Sequence, residues 1–338
     1  MKKTILNCTL LALCCWFLTA CTTMETGKVH KFVATPQNIH NGMFESTVPP
    51  VLKIDSGDTV VFNSLMLFEG KLKAGMTFDD VLALRKSVLD RKLGAYALTG
   101  PFYVNGAEPG DVLEVRIKKI VPGDYGITYN YPGNMNRGGL PEYVPDSYIK
   151  TVYFSKDKKS AEFKPGVVFP VKPFFGTMGV SPKPGEQKNS GVPDYFGGNM
   201  DNKELVAGTT LFLPVNAKGA LFMAADAHGA QGDGEVNITA LETYIEEAEF
   251  QFIVRKDFKL ERPMAENATH WIVMGFHQDL DEAMKIALKD SIDFLVRTKN
   301  LTKNEAYAVC SSAVDYRVTQ VVDGNKGVHA MIPKEIFK

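Results

Sequence analysis

Gly219-Ala-Leu-Phe-Met-Ala-Ala-Asp-Ala-His-Gly-Ala-Gln-Gly-Asp-Gly-Glu-Val-Asn-Ile-Thr-Ala-Leu241 holds an apolar run, a polar decapeptide and a second apolar run. The residues before Asp226 have the composition of a buried strand, and those after Glu235 read as a returning strand. Between them stand three carboxylates (Asp226, Asp233, Glu235), the His228 imidazole, the Gln231 carboxamide and three glycines. Mutual repulsion and desolvation both oppose such crowding. A bound cation, or a reaction that needs acids and bases, supplies a reason for it. The competing reading is a solvated hairpin tip, where Asp and Gly are common.

Outward from this stretch the chain reads mostly as strands. Pro50–Ile54 and Thr59–Phe62 flank a Ser-Gly-Asp turn, Phe102–Val104 and Val112–Ile117 flank another, and Leu205–Pro214 echoes them. Alternating runs around such turns predict a β-sandwich built from related hairpins. Three helices are expected. Phe78–Leu89 places Val81, Leu84 and Val88 on one face and reads as a short surface helix, a candidate cover. Leu280–Thr298 follows a capping Asp279, and Ala306–Val314 follows Thr302-Lys-Asn-Glu305 in capping-box spacing. The strand expected at Arg317–Val322 closes a C-terminal α/β layer, making the whole β-rich α+β. Pro122–Gly198 is rich in Gly, Pro and aromatics, including Tyr125, Tyr129, Tyr131, Tyr143, Phe174 and Phe175, and reads as loops walling a pocket. No composition break divides residues 30–338, which we expect to form one unit.

The N-terminus reads as a targeting segment. Lys2-Lys3 precedes a mostly apolar Ile5–Leu18, too short to span a bilayer, and Leu18-Thr-Ala-Cys21 resembles a lipobox. A signal peptide over residues 1–20, lipidation at Cys21 and a tether over 21–29 follow. Thr22 after the Cys favours an outer-membrane anchor facing the periplasm. Of five cysteines, four lie at or before Cys21, which leaves Cys310 as a small buried hydrophobe and excludes an internal disulfide after cleavage. A formal net charge of −1 excludes the basic surface of a nucleic-acid binder.

The polar decapeptide carries a resemblance to the acetamidase/formamidase family, whose signature is similar to D-A-H-x-x-Q-G-D-G-E. Thr99–Val115, Gly197-Gly-Asn-Met-Asp201 and Arg317–Met331 resemble further family blocks in family order, from about His40 to Pro333. The resemblance implies hydrolysis of short linear amides to a carboxylate and ammonia, on an acetamidase/formamidase-like β-sandwich with a C-terminal α/β layer. After the signature the chain has Val236-Asn-Ile238, where many relatives carry Cys or Ser and then Gly, a difference that bears on substrate size. The resemblance also implies self-association, expected here as a homodimer.

An amidase must activate a nucleophile, stabilise an oxyanion and protonate a leaving nitrogen. No G-x-S-x-G elbow occurs, Ser311-Ser312 falls in a predicted helix, and Cys310 reads as buried, so a metal-activated water is the route left. Asp226 and His228 share one face of an extended strand and suit a divalent ion, Zn²⁺ or alternatively Ca²⁺. Glu235 is the candidate general base, with Asp233 as the alternative. Gln231 is a candidate for orienting substrate, and the Gly232 and Gly234 N–H groups for facing an oxyanion. The family blocks add His40 and Asp201 as candidate ligands and Asn199 as a candidate substrate contact. His329 reads as packing. A rival from another class is a catalytically silent lipoprotein that uses the fold for binding or assembly, and hydrolysis of a cyclic amide is a third reading.

Overall fold

In the computed structural model, which describes residues 27–338, the expected strands form but pair differently from hairpins. Leu52–Ile54 pairs in parallel with Ala97–Val104, whereas Thr59–Ser64 pairs with Val29–Phe32 and Ile245–Arg255 in a different sheet. Likewise Ala97–Val104 and Val112–Pro122 lie in separate sheets. Both Gly-Asp turns are therefore arches that carry the chain from one sheet to the other. The turn chemistry was legible, but it is shared by hairpins and arches. Val29, expected to end a tether, already belongs to a strand. Cys21 and the predicted signal peptide lie outside the described residues. No helix among the described residues is long and apolar enough to cross a membrane.

Two nine-stranded sheets face one another. The first runs in the order Val29–Phe32, Thr59–Ser64, Ile245–Arg255, Val112–Pro122, Thr210–Pro214, Met264–Glu266, His270–His277, Lys326–Pro333, Asp315–Gln320. The second is built around Phe222–His228, which pairs with Phe174–Gly179, Glu242–Thr243 and Ala97–Val104. Alternation along Ile245–Arg255 buries Ala248, Phe250 and Phe252 and turns Glu249 and Gln251 outward. The buried rings interlock between the sheets: Phe62 lies 5.8 Å from Phe175 and 5.5 Å from Phe102, and Phe222 lies 5.1 Å from Phe252. Each such side chain contributes about 1.5–3 kcal/mol by burial.

The helices Leu280–Lys299 and Lys303–Ala313 bury Phe294, Leu295, Ala306 and Cys310 against Phe212, Met264, Val273 and Ile332 of the first sheet. Asp279 caps the first by accepting from the Asp281 and Glu282 N–H groups, and Thr302 with Glu305 forms the expected capping box. This is the α/β layer read from the sequence. The segment expected as pocket-walling loops also carries short strands, among them Tyr125–Asn130, Tyr148–Tyr153, Ser160–Lys164, Val167–Pro170 and Phe174–Gly179, and its Tyr129, Tyr131, Phe163, Phe169 and Phe174 do line cavities. Phe174 and Phe175 are core residues, Tyr129 and Tyr131 are buried, and Tyr143 is exposed.

Helix Phe78–Asp90, capped by a Thr77–Asp80 box, buries Val81 and Val88 in a small core that also holds Phe68, Tyr129 and Tyr131. It thus covers the outer side of the second sheet. Just before it, Phe68 and Glu69 both adopt left-handed backbone conformations, an arrangement that costs about 1–2 kcal/mol per residue without support. Support comes from Glu69, whose carboxylate accepts two Arg91 N–H bonds of 2.9 Å and one of 2.6 Å from Lys71. Arg91 and Lys71 hold the Glu69 carboxyl down at about 2 from 4.5, against its burial. The stabilisation is therefore complete above pH 4.5 and is lost as the pH falls toward about 2. Because Arg91 and Lys71 are half-exposed, we expect Glu69→Gln to destabilise by about 1–2 kcal/mol near neutrality. The melting-temperature gap to wild type should narrow below pH 4.5; a gap that stays constant into acid would remove the ionic origin.

Candidate functional site

The centre of the second sheet carries the polar cluster. Asp226 and His228 lie within the strand Phe222–His228 rather than in the glycine-rich turn that follows, and both are buried. The return strand is also later than expected: it begins at Glu242, which sits opposite His228 in register. Residues 229–241 form an irregular loop that folds Glu235 back into the protein, where it is 6% exposed. Asp201 follows the strand Gly197–Asn199, and its N–H donates to the Gly176 carbonyl at 3.1 Å.

Four residues meet around the His228 ring. Nε2 lies 3.4 Å from Asp226 Oδ2 and 3.4 Å from Glu242 Oε1, and Nδ1 lies 3.7 Å from Asp201 Oδ1. Nδ1 is also 3.0 Å from Gln231 Oε1. Gln231 uses its amide nitrogen to donate to the Asp201 carbonyl at 2.6 Å, so its oxygen faces the ring and accepts from Nδ1–H. That leaves Nε2 facing two carboxylates, where it carries a proton in the absence of an ion and would be free to ligate one. Asp201, His228 and Glu235 form one group with ligand atoms within 4.8 Å of one another; Asp226, His228 and Glu242 form a second. Either can hold a metal ion.

Three further observations fit a cation. Asp201 Oδ1, His228 Nε2, Glu235 Oε2, Glu242 Oε2 and Asp323 Oδ2 are all buried without a hydrogen-bond partner. Unsatisfied buried groups cost about 1–3 kcal/mol each, more when charged, so five in one cluster call for a shared counter-charge. Asp201, Asp226 and Glu235 all have left-handed backbone conformations, with φ of 45°, 57° and 43°; strain of this kind persists where the surroundings fix a functional geometry. The third observation is Gly176. A Cβ there would clash with Asp201 Oδ1 and lie 2.8 Å from Asp226 Oδ2 and His228 Cε1, so these groups converge over a bare backbone.

Electrostatics tell the same story. Burial, then repulsion from neighbouring acids, pushes Asp201, Glu235 and Asp323 above the usual carboxylate range. Burial likewise raises Glu242, against the opposing pull of His228. Burial opposes charge on His228, but Glu242 and Asp226 outweigh it and raise the imidazole well above 6.5. Without a cation these raised groups favour extra protons, which a divalent ion held there would displace.

The other sequence-predicted residues are placed differently. Asn199 is buried and spends its amide on Asp201 Oδ2 and its oxygen on the Thr177 hydroxyl, so it orients a carboxylate. Asp233 is at the rim, 2.9 Å from Lys203. The Gly234 N–H is committed to the Thr319 carbonyl at 3.1 Å, away from any oxyanion, whereas Gly232 lines an open groove. His40 belongs to neither metal-holding group; it pairs with Leu98, and burial lowers its pKa. His329 is fully buried beside the Thr319 hydroxyl at 2.8 Å, a packing role. Sequence reasoning missed Glu242, Asp323 and Gly176. A carboxylate in the apolar run Ala240-Leu-Glu-Thr243 was the available signal for the first, while Asp323 in Asp-Gly-Asn reads as an ordinary turn.

Two cavities reach the cluster. A groove of about 690 Å³ is lined by Phe163, Phe169, Lys203, Gln231, Asp233 and Glu235. A second cavity, of about 90 Å³, is lined by Asp226, Glu235 and Glu242 together with Phe68, Tyr129 and Ile238. Ile238, at φ 88°, occupies a backbone conformation that suits glycine. Glu235 and Thr239 line both spaces.

Comparison with known proteins gives concordant matches. The profile of the Acetamidase/Formamidase family matches residues 27–190 and 186–338. A Schizosaccharomyces pombe protein bearing a formamidase name is 27% identical over 59% of this chain and 60% of its own length. The acetamidase of Mycolicibacterium smegmatis is 29% identical over 42% of this chain and 49% of its own. The chain thus spans about half to three-fifths of the curated relatives it matches. The crystal structure of an acetamidase from Bacillus halodurans superposes with a TM-score of 0.81 at 29% identity, covering 90% of this chain and 98% of that one.

Proposed function

This chain belongs to the acetamidase/formamidase family, and on that premise we propose that it hydrolyses short amides to a carboxylate and ammonia at the His228 cluster. The observation that carries the reading is the set of buried polar atoms without hydrogen-bond partners on Asp201, His228, Glu235 and Glu242, residues of two metal-holding groups that share His228. The small cavity supports the size class: about 90 Å³ is far below the ~300–1,000 Å³ of sites for larger ligands.

We propose Zn²⁺ as the ion, with Asp226, His228 and Asp201 as ligands joined by Glu242. One imidazole with carboxylates suits Zn²⁺, whereas an all-oxygen shell would suit Ca²⁺. When bound, a divalent cation polarises an amide carbonyl and makes a neighbouring water more acidic. The chain's own residues do the rest. Gln231 fixes the His228 tautomer, Asn199 and Thr177 hold Asp201 in orientation, and Phe68, Tyr129 and Ile238 exclude bulk water from the acyl side. Glu235, with one oxygen unpartnered and contact with both cavities, takes the proton from the attacking water and returns it to the leaving nitrogen. Asp233, tied to Lys203 at the rim, is the weaker candidate for that role.

Glu235→Gln tests this assignment. We expect bound metal to be retained while ammonia release falls by roughly 10²–10⁴-fold. Metal loss in this variant would make Glu235 a ligand instead. The rival reading, a silent binding lipoprotein, predicts no ammonia from any amide of one to four carbons.

Two further proposals concern setting. Lys2-Lys3, the apolar stretch to Leu18 and Leu18-Thr-Ala-Cys21 support lipidation at Cys21 and an outer-membrane, periplasm-facing location. Incorporation of labelled palmitate that disappears in Cys21→Ser is the expected result. A homodimer rests on the family resemblance; light scattering in mild detergent should return twice the chain mass.

A further inference from the structure

The small cavity carries two cationic side chains that amide hydrolysis alone does not use. Arg85, from the covering helix, and Arg137, from the loop after Tyr131, both line it. Both guanidinium groups lie over the Tyr131 ring, 5.7 Å and 5.2 Å from its centroid. Tyr131 is itself 5% exposed and held edge-on by Phe78 and Tyr129, so the platform under the two arginines is rigid. Among the described residues no carboxylate lies within ion-pair distance of either arginine. The Arg137 Nε–H is buried and has no hydrogen-bond partner. Arg91, one turn and a half along from Arg85, shows the contrast: its guanidinium is engaged by Glu69 and by the Ser87 carbonyl.

A planar, donor-rich guanidinium stacked on an aromatic ring presents its N–H edge to a planar anion, and a carboxylate is the matching acceptor. Asp226, Glu235 and Glu242 line the same cavity, so a ligand filling it meets both the acidic, metal-holding cluster and the arginines. In a cavity of about 90 Å³ only a few carbons fit. We infer that the preferred substrate is a short amide carrying a carboxylate at its far end, a monoamide of a three- or four-carbon dicarboxylic acid, with Arg85 and Arg137 as its anion-binding residues. This deepens the amidase reading and rests on it. The covering helix thereby acquires a role in specificity, because it delivers Arg85 to the site.

Tethering the distal carboxylate adds binding that a neutral amide of equal length cannot make, and charge-assisted bonds of this kind correspond to roughly 10–100-fold in kcat/KM. The test compares ammonia release from malonamate and succinamate with that from propionamide and butyramide, using the full chain. The anionic amides should be favoured by roughly 10–100-fold, and this ratio should collapse toward one in Arg85→Met and Arg137→Met. Lysine at either position should restore part of it. A general structural defect would lower both substrate classes together and leave the ratio unmoved. Independently of turnover, malonate and succinate should raise the melting temperature more than acetate and propionate do, and the difference should vanish in the methionine variants. Equal or better hydrolysis of the neutral amides overturns the inference while leaving the amidase reading intact. Absence of ammonia from every amide removes the amidase reading, and the dicarboxylate shift then decides the anion site: its absence, or its persistence in both variants, overturns that as well.

Discussion

His228→Ala should abolish amide hydrolysis, with kcat/KM at least ~10³-fold below wild type, and should strip the protein of bound metal. The imidazole is the one group common to both metal-holding sets, so its removal disables each of them. Among the described residues it is also the only basic side chain within 4 Å of the Asp226 and Glu242 carboxylates. Without it those acids face each other in a buried site, which costs about 3–5 kcal/mol when a buried charge loses its partner. The ring lies on a core strand and packs edge-on against Phe174 at 5.1 Å, so the loss is not confined to a flexible tip. A fall in melting temperature should accompany the loss of activity. His228→Gln, which fills the space and keeps a polar end, should recover much of the stability and none of the turnover. Retention of full activity and full metal in His228→Ala would remove the site assignment as a whole.

Gly176→Ala should be nearly as damaging, although it removes no functional group. The added methyl would clash with Asp201 Oδ1 and crowd Asp226 Oδ2 and His228 Cε1. Gly176 sits mid-strand, fully buried and flanked on both sides by paired strands, so its backbone has little freedom to retreat. Overpacking of this kind costs about 1–3 kcal/mol in stability. Its larger effect is on geometry: displacing ligand groups by ~1 Å costs roughly 10²-fold or more in rate. Metal content and ammonia release should both fall, and Gly176→Ser should be no better. A Gly176→Ala variant with normal kinetics would show that the convergence of Asp201, Asp226 and His228 over this residue is not the working arrangement.

Much of the site was legible because it is local. Asp226, His228, Gln231 and Glu235 come from one decapeptide whose polarity packing alone does not explain, and the structure brings Gln231, Asp226 and Glu235 around His228. Asp201 emerged only through family resemblance, since nothing in Gly-Asn-Met-Asp marks a ligand by itself. Glu242 could not be placed without knowing that it pairs across from His228, a matter of strand register rather than composition. Asp323 arrives from a turn more than eighty residues away in sequence, with the signature of any Asp-Gly turn. The two helices of the C-terminal layer were readable from Asp279 and the Thr302–Glu305 box because caps are local signals. Sheet partners were not: Ile54 and Thr59 flank one tight turn yet lie in opposite sheets, because strand patterning records which face is buried and not which neighbour is paired.

The central claim is that a cation held by the His228 cluster is required for amide hydrolysis. The most direct measurement is ammonia release by the purified full chain from formamide, acetamide and the three- and four-carbon amides, before and after chelation and again after adding back Zn²⁺. The account predicts that release is lost with the metal and restored with it in near-stoichiometric amount. Full hydrolysis by metal-free protein, or no ammonia in any metal state, would contradict it.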